Sequence, residues 1–146
     1  MTGQPYAVFR PRRGRYVAWG AAVLIVICFT VLGFVMPRDK GGVANQLAFV
    51  IFGLLIAAVL SRFARVRAVP SERGLVVHNL LVTRELEWAE ILDVQFGGGP
   101  PWLLLDLADT EQLAVMGVQR ADGEYAVREA QRLAALVEAH SSSDRD

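Results

Sequence analysis

The sequence predicts a membrane α-helical hairpin followed by a β-rich domain, a small antiparallel barrel or sandwich capped by one C-terminal helix. Three observations predict it. Two long uncharged runs stand between residues 16 and 61. Short apolar segments at close spacing follow, punctuated by Gly, Pro, Asn and Asp. The last apolar pattern then changes to a helical period. Composition agrees: 53% of the residues are hydrophobic and mean hydropathy is +0.35, more apolar than a soluble domain of 146 residues.

The first uncharged run, Tyr16–Pro37, has 22 residues. As a helix rising about 1.5 Å per residue it reaches about 33 Å, enough for a bilayer core about 30 Å thick. The second, Val43–Ser61, has 19 residues, with Asn45 and Gln46 at one end. Residues 38–42, Arg-Asp-Lys-Gly-Gly, leave room only for a hairpin turn at the external face. The first run is too long for the apolar part of a cleaved signal, and no small-x-small site follows it, so an uncleaved anchor is expected.

Net charge is zero, with 15 basic and 15 acidic residues. That excludes a generally basic nucleic-acid binder and an acidic disordered chain. The balance hides a split, because residues 1–70 carry +8 and residues 71–146 carry −8. Arg10, Arg12, Arg13 and Arg15 precede the first run, and Arg62, Arg65, Arg67 and Arg73 follow the second. By the positive-inside rule both termini face the cytoplasm, in the cell membrane, with residues 1–15 a basic cytoplasmic N-terminus. Neither run has a charge in its middle, which points to an anchor and not a transport path. Ala18 and Ala22 on one run, and Gly53, Ala57 and Ser61 on the other, form small-residue lines for helix packing.

Residues 64–140 read as a cytoplasmic domain. Strands are expected at Arg65–Val69, Leu75–His78, Leu81–Trp88, Ile91–Phe96, Trp102–Leu107 and Gln112–Val118, with a turn at residues 70–74 and a loop at residues 97–101. Arg84 falls on the apolar side of its strand, so it belongs at an edge or beside an acid. Asp122 is expected to N-cap the final helix, whose apolar residues Ala126, Val127, Ala130, Leu133, Ala134 and Val137 recur at helical spacing. The helix is expected to end near His140, with residues 141–146 a disordered tail.

Strands closed by one amphipathic helix is the order of a pleckstrin-homology (PH) domain. The stretches R-G-L-V-V-H-N-L-L, E-W-A-E-I-L-D-V-Q-F, P-W-L-L-L-D-L and V-M-G-V-Q-R-A-D-G-E resemble the bacterial PH-like domain of the low molecular weight protein antigen 6 family. The resemblance covers residues 66–136 and implies a small actinobacterial membrane protein with two spans before the domain. It carries over no catalytic or binding residue.

The residues themselves offer little chemistry. One cysteine and two histidines exclude a disulfide framework and a Cys/His zinc site, and no cofactor is expected. The Gly97–Gly99 loop leads into Pro-Pro and a strand, so it lacks the form of a phosphate loop. The expectation is a non-catalytic interaction or scaffold module, integral to the bilayer and binding another membrane or membrane-associated protein, with Trp102 a candidate anchor. The alternative is anionic lipid head-group recognition by Arg65, Arg67 and Arg73 around the first hairpin.

Overall fold

The first uncharged run forms helix α1 (Arg13–Val35), and the second forms α2 (Gly42–Phe63). A 3-10 turn over Arg38–Lys40 joins them. The computed structural model describes residues 4–143. They divide into two units: residues 15–64, which hold most of both helices, and residues 4–14 together with 65–143.

Both helices are long and apolar enough to cross a membrane, at 23 and 22 residues. They are apolar all round, and only 17% and 6% of their most apolar windows are buried, unlike the core helix of a soluble protein. Within this unit the helices approach closely at small residues. A Cβ added to Gly53 would lie 2.7 Å from the Phe29 Cβ, and one added to Gly33 would lie 3.2 Å from the Gln46 carbonyl oxygen. The Phe29 ring packs against Phe52 and Phe49, with centroids 5.5 and 6.3 Å away.

The other unit is a β-sandwich. Strands β1 (Arg67–Pro70), β2 (Gly74–His78) and β3 (Thr83–Glu87) form one antiparallel sheet in the order β1-β2-β3. Strands β4 (Ile91–Gln95), β5 (Trp102–Leu107) and β6 (Gln112–Gln119) form the second, in the order β4-β5-β6. Period-two burial builds the core: Leu75 and Val77 from β2, and Leu103, Leu105 and Leu107 from β5, all turn inward. Helix α3 (Glu124–Ser143) closes the core with Ala126, Ala130, Leu133, Leu136 and Val137. Val127 and Ala134 lie outside that stripe and are exposed, and Leu136 takes their place. The helix also continues past His140 to Ser143, so residues 141–143 are helical; residues 144–146 fall outside the described residues.

The N-terminal segment departs most from expectation. The charge pattern marks it only as a basic N-terminus, whereas residues 4–14 are part of the sandwich. Phe9 is fully buried, and it exchanges backbone hydrogen bonds with Ala68 at 2.9 and 3.0 Å, adding a bridge to the edge of β1. The Arg132 guanidinium lies 3.8 Å from the Phe9 ring centroid and donates to the carbonyls of Pro5 and Ala7. β6 carries Gly117 at this point because a Cβ there would sit 2.9 Å from the Phe9 carbonyl oxygen.

Asp122 is the second departure. It sits in a 3-10 turn and does not cap α3. Its carboxylate accepts the backbone N–H groups of Arg12 (2.8 Å) and Arg13 (2.7 Å), free donors at the start of α1, whose first turn has no acid of its own. Two charge-assisted bonds to a buried carboxylate outcompete a local cap. Asp122→Ala is therefore expected to destabilise the domain by about 2–3 kcal/mol, and Asp122→Asn by less. Thermal unfolding of the full chain in detergent checks both values.

Candidate functional site

The first hairpin does not gather its arginines. Arg67 pairs in register with His78 at the open end of the β1–β2 hairpin, and Arg65 lies two residues before the sheet. Arg73 stands at the opposite end, in the turn beyond the Pro70–Leu75 pair. The four-residue strand between them holds Arg67 and Arg73 about 10 Å or more apart along the hairpin. Arg73 instead lines an open groove of about 670 Å³ with Ser71, Val76, Glu85, Glu87 and Glu90. Three acidic residues and one arginine line it.

The groove has a rigid frame. The Trp88 indole is buried and donates to the Ser71 carbonyl at 2.9 Å, tying the β1–β2 turn to the end of β3. The other face of Trp88 stacks on His140 of α3, 4.7 Å between centroids. The His140 Nδ1 bonds the Leu136 carbonyl, and its Nε2 meets the Tyr6 hydroxyl at 3.2 Å. This histidine is a structural connector with both ring nitrogens engaged. β3 has a paired neighbour only in β2 within its sheet, so the groove lies beside a sheet edge.

The remaining expected residues are distributed singly. Trp102 begins β5 half-buried, after the Gly97–Pro101 loop. That loop is held by Arg120, whose backbone N–H donates to the Pro101 carbonyl and whose side chain donates to the Gly99 carbonyl. Arg84 pairs with Glu111 at 2.8 Å and Asp109 at 3.4 Å. The hydrogen bond that Arg84 donates to Glu111 leads the causes that push the Arg84 pKa further up. Burial likewise pushes the Tyr125 phenol up, with the Arg12 guanidinium over its ring opposing. In the helical unit Ala18, Ala22 and Gly53 are buried, while Ala57 and Ser61 are half-buried. Ala57 lines a shallow apolar recess with Trp19 and Ala22.

One feature of the surface carries no sequence signal of charge or motif. The turn between β2 and β3 is Asn79-Leu80-Leu81-Val82, and its tip is apolar and exposed, Leu81 by 84% and Val82 by 56%. Among the described residues no cluster of three or more His, Cys, Asp or Glu stands ready to hold a metal ion.

Comparison with known proteins places this architecture. Residues 64–135 match the bacterial PH domain family. Uncharacterized proteins of Mycobacterium tuberculosis and Mycobacterium bovis are 37% identical over 124 residues, covering 82% of this chain and 80% of theirs. No solved structure matches. With its two antiparallel sheets closed by a C-terminal helix, the chain belongs to the bacterial PH domain family.

Proposed function

We propose that the protein is a membrane-anchored, non-catalytic PH-like interaction module that binds a basic segment of a membrane or membrane-associated protein at the cytoplasmic face. The layout of two spans before the domain is the one implied by the resemblance to the low molecular weight protein antigen 6 family. The observation that carries the reading is the groove beside β3, where Glu85, Glu87 and Glu90 outnumber Arg73. A cationic peptide meets complementary charge there and an unpaired strand edge beside it. An anionic head group meets repulsion, and Arg65 and Arg67 lie too far along the hairpin to help. Anchoring the domain by α1 and α2 raises its effective concentration for other membrane proteins.

The test uses the full chain in mild detergent, with a photo-crosslinking residue introduced at Val76 in the groove. A defined membrane protein is expected to crosslink, and Glu85→Lys with Glu87→Lys is expected to reduce its yield at least tenfold, about 1.4 kcal/mol. Both side chains are exposed, and because Glu87 also takes part in a capping box with Glu90 at the 3-10 turn after β3, thermal unfolding of the double variant checks that the fold is kept. Recovery of the chain alone, or a yield that ignores the charge reversal, overturns the reading.

A further inference from the structure

The β2–β3 turn is built from the wrong residues for a solvent-facing turn. Turns favour Gly, Pro, Asp, Asn and Ser, yet three of its four residues are Leu80, Leu81 and Val82. The turn is also held firmly. The Asn79 backbone N–H donates to the Val82 carbonyl at 2.9 Å, closing it. The Asn79 side chain donates to the Ala114 carbonyl (2.7 Å) and accepts from the Met116 N–H (3.1 Å), bracing the turn on β6. Leu81 and Val82 therefore cannot fold back onto the core. Scattered exposed leucines need no explanation, but adjacent ones fixed at a turn tip do.

Register fixes the end of the sheet from which the turn projects. His78, the residue before the turn, pairs with Arg67, the first residue of β1. The turn thus projects from the same end of the sheet at which the chain arrives from α2. That helix ends at Phe63, and four residues extend at most about 14 Å. Where α2 spans a bilayer, the covalent chain keeps this end of the sheet near its surface.

We propose that Leu81 and Val82 insert into the interfacial layer of the bilayer that holds the helices, docking the domain on lipid through apolar contact. The inference rests on the reading of α2 as a span. Contact of this kind needs no anionic head group and resists salt.

The full chain tests it in phosphatidylcholine vesicles, with Cys28→Ala removing the one native cysteine. An environment-sensitive fluorophore is attached in turn to Leu81→Cys, Val82→Cys and Leu92→Cys, the last an exposed leucine on β4. A nitroxide lipid labelled near the head group is expected to quench positions 81 and 82 several times more than position 92. The excess persists in about 0.5 M salt and on dilution to one chain per vesicle. Equal quenching at the three positions overturns the proposal. Salt-sensitive quenching overturns it in favour of a charged contact, and quenching lost on dilution overturns it in favour of a second copy covering the turn. Release of the chain by alkaline washing overturns the anchor reading separately, before any fluorescence is read.

Discussion

Phe9→Ala is expected to cost the domain about 3–5 kcal/mol, although Phe9 stands within a stretch of arginines and prolines ahead of the first span. The ring is fully buried among the core residues, beneath the Arg132 guanidinium, and its removal leaves a cavity that a backbone-bridged segment cannot collapse to fill. For a domain of this size the loss corresponds to a drop in unfolding temperature of more than about 10 °C. The neighbouring Arg10 is exposed, so Arg10→Ala is expected to change stability by less than about 0.5 kcal/mol. Thermal unfolding of the full chain, followed by tryptophan fluorescence, measures both. Stability of Phe9→Ala within 1 kcal/mol of the native chain, taken as roughly the cost of a surface change, contradicts the assignment of residues 4–14 to the sandwich. By the same argument, a fragment that begins at Arg65 lacks part of its core and is expected to be markedly less stable than the domain in the full chain.

Gly74→Ala is expected to be the most disruptive single methyl group in the domain. Gly74 pairs with Glu87 at the start of β2, and an added Cβ would overlap the Leu86 carbonyl oxygen of the neighbouring strand. The obstacle is backbone, so no rotamer change relieves it. β2 and β3 must separate, which loosens Leu86 and Trp88, both buried. A cost of about 3 kcal/mol or more is expected, at the upper end for overpacking. Gly98 provides the comparison, since an added Cβ there meets open space, and Gly98→Ala is expected to be neutral or to stabilise by up to about 1 kcal/mol. Amide hydrogen exchange distinguishes the two, with faster exchange along β2 and β3 expected in Gly74→Ala alone. Similar stability for both variants contradicts the strand spacing described.

The groove and the turn give the domain two separate surfaces. Arg73 and the carboxylates of β3 lie toward one end of the first hairpin, and the Leu81 tip projects from the other. The two proposals therefore demand different variants and fail independently. Glu85→Lys leaves the lipid contact untouched, and labels at Leu81 and Val82 leave the groove untouched.

What was legible in the sequence was local. Uncharged runs of 22 and 19 residues become the two helices, because length and apolarity decide that outcome residue by residue. Alternation places Leu103, Leu105 and Leu107 inside β5, and helical spacing places Ala126, Ala130, Leu133 and Val137 on the core face of α3. The odd position of Arg84 within an alternating strand pointed to an edge or an acidic partner, and the structure has both, since β3 is an edge strand and Glu111 pairs with the guanidinium. Tertiary structure decided everything that depends on pairing across distance. Asp122 has the right residue type for a helix cap, but the helix start it serves lies more than a hundred residues earlier in the chain. Phe9 has no periodic neighbours, and its place in the core follows from a bridge to Ala68 beyond both helices. Arg65, Arg67 and Arg73 are close in sequence and apart in space, because an antiparallel hairpin sends residues near its turn and residues at its open end in opposite directions. The exposure of Leu81 likewise depends on where Asn79 finds acceptor and donor on β6. Periodicity records which way a side chain points within its own element; which elements meet, and at which register, is decided by the burial and hydrogen bonding of the whole chain.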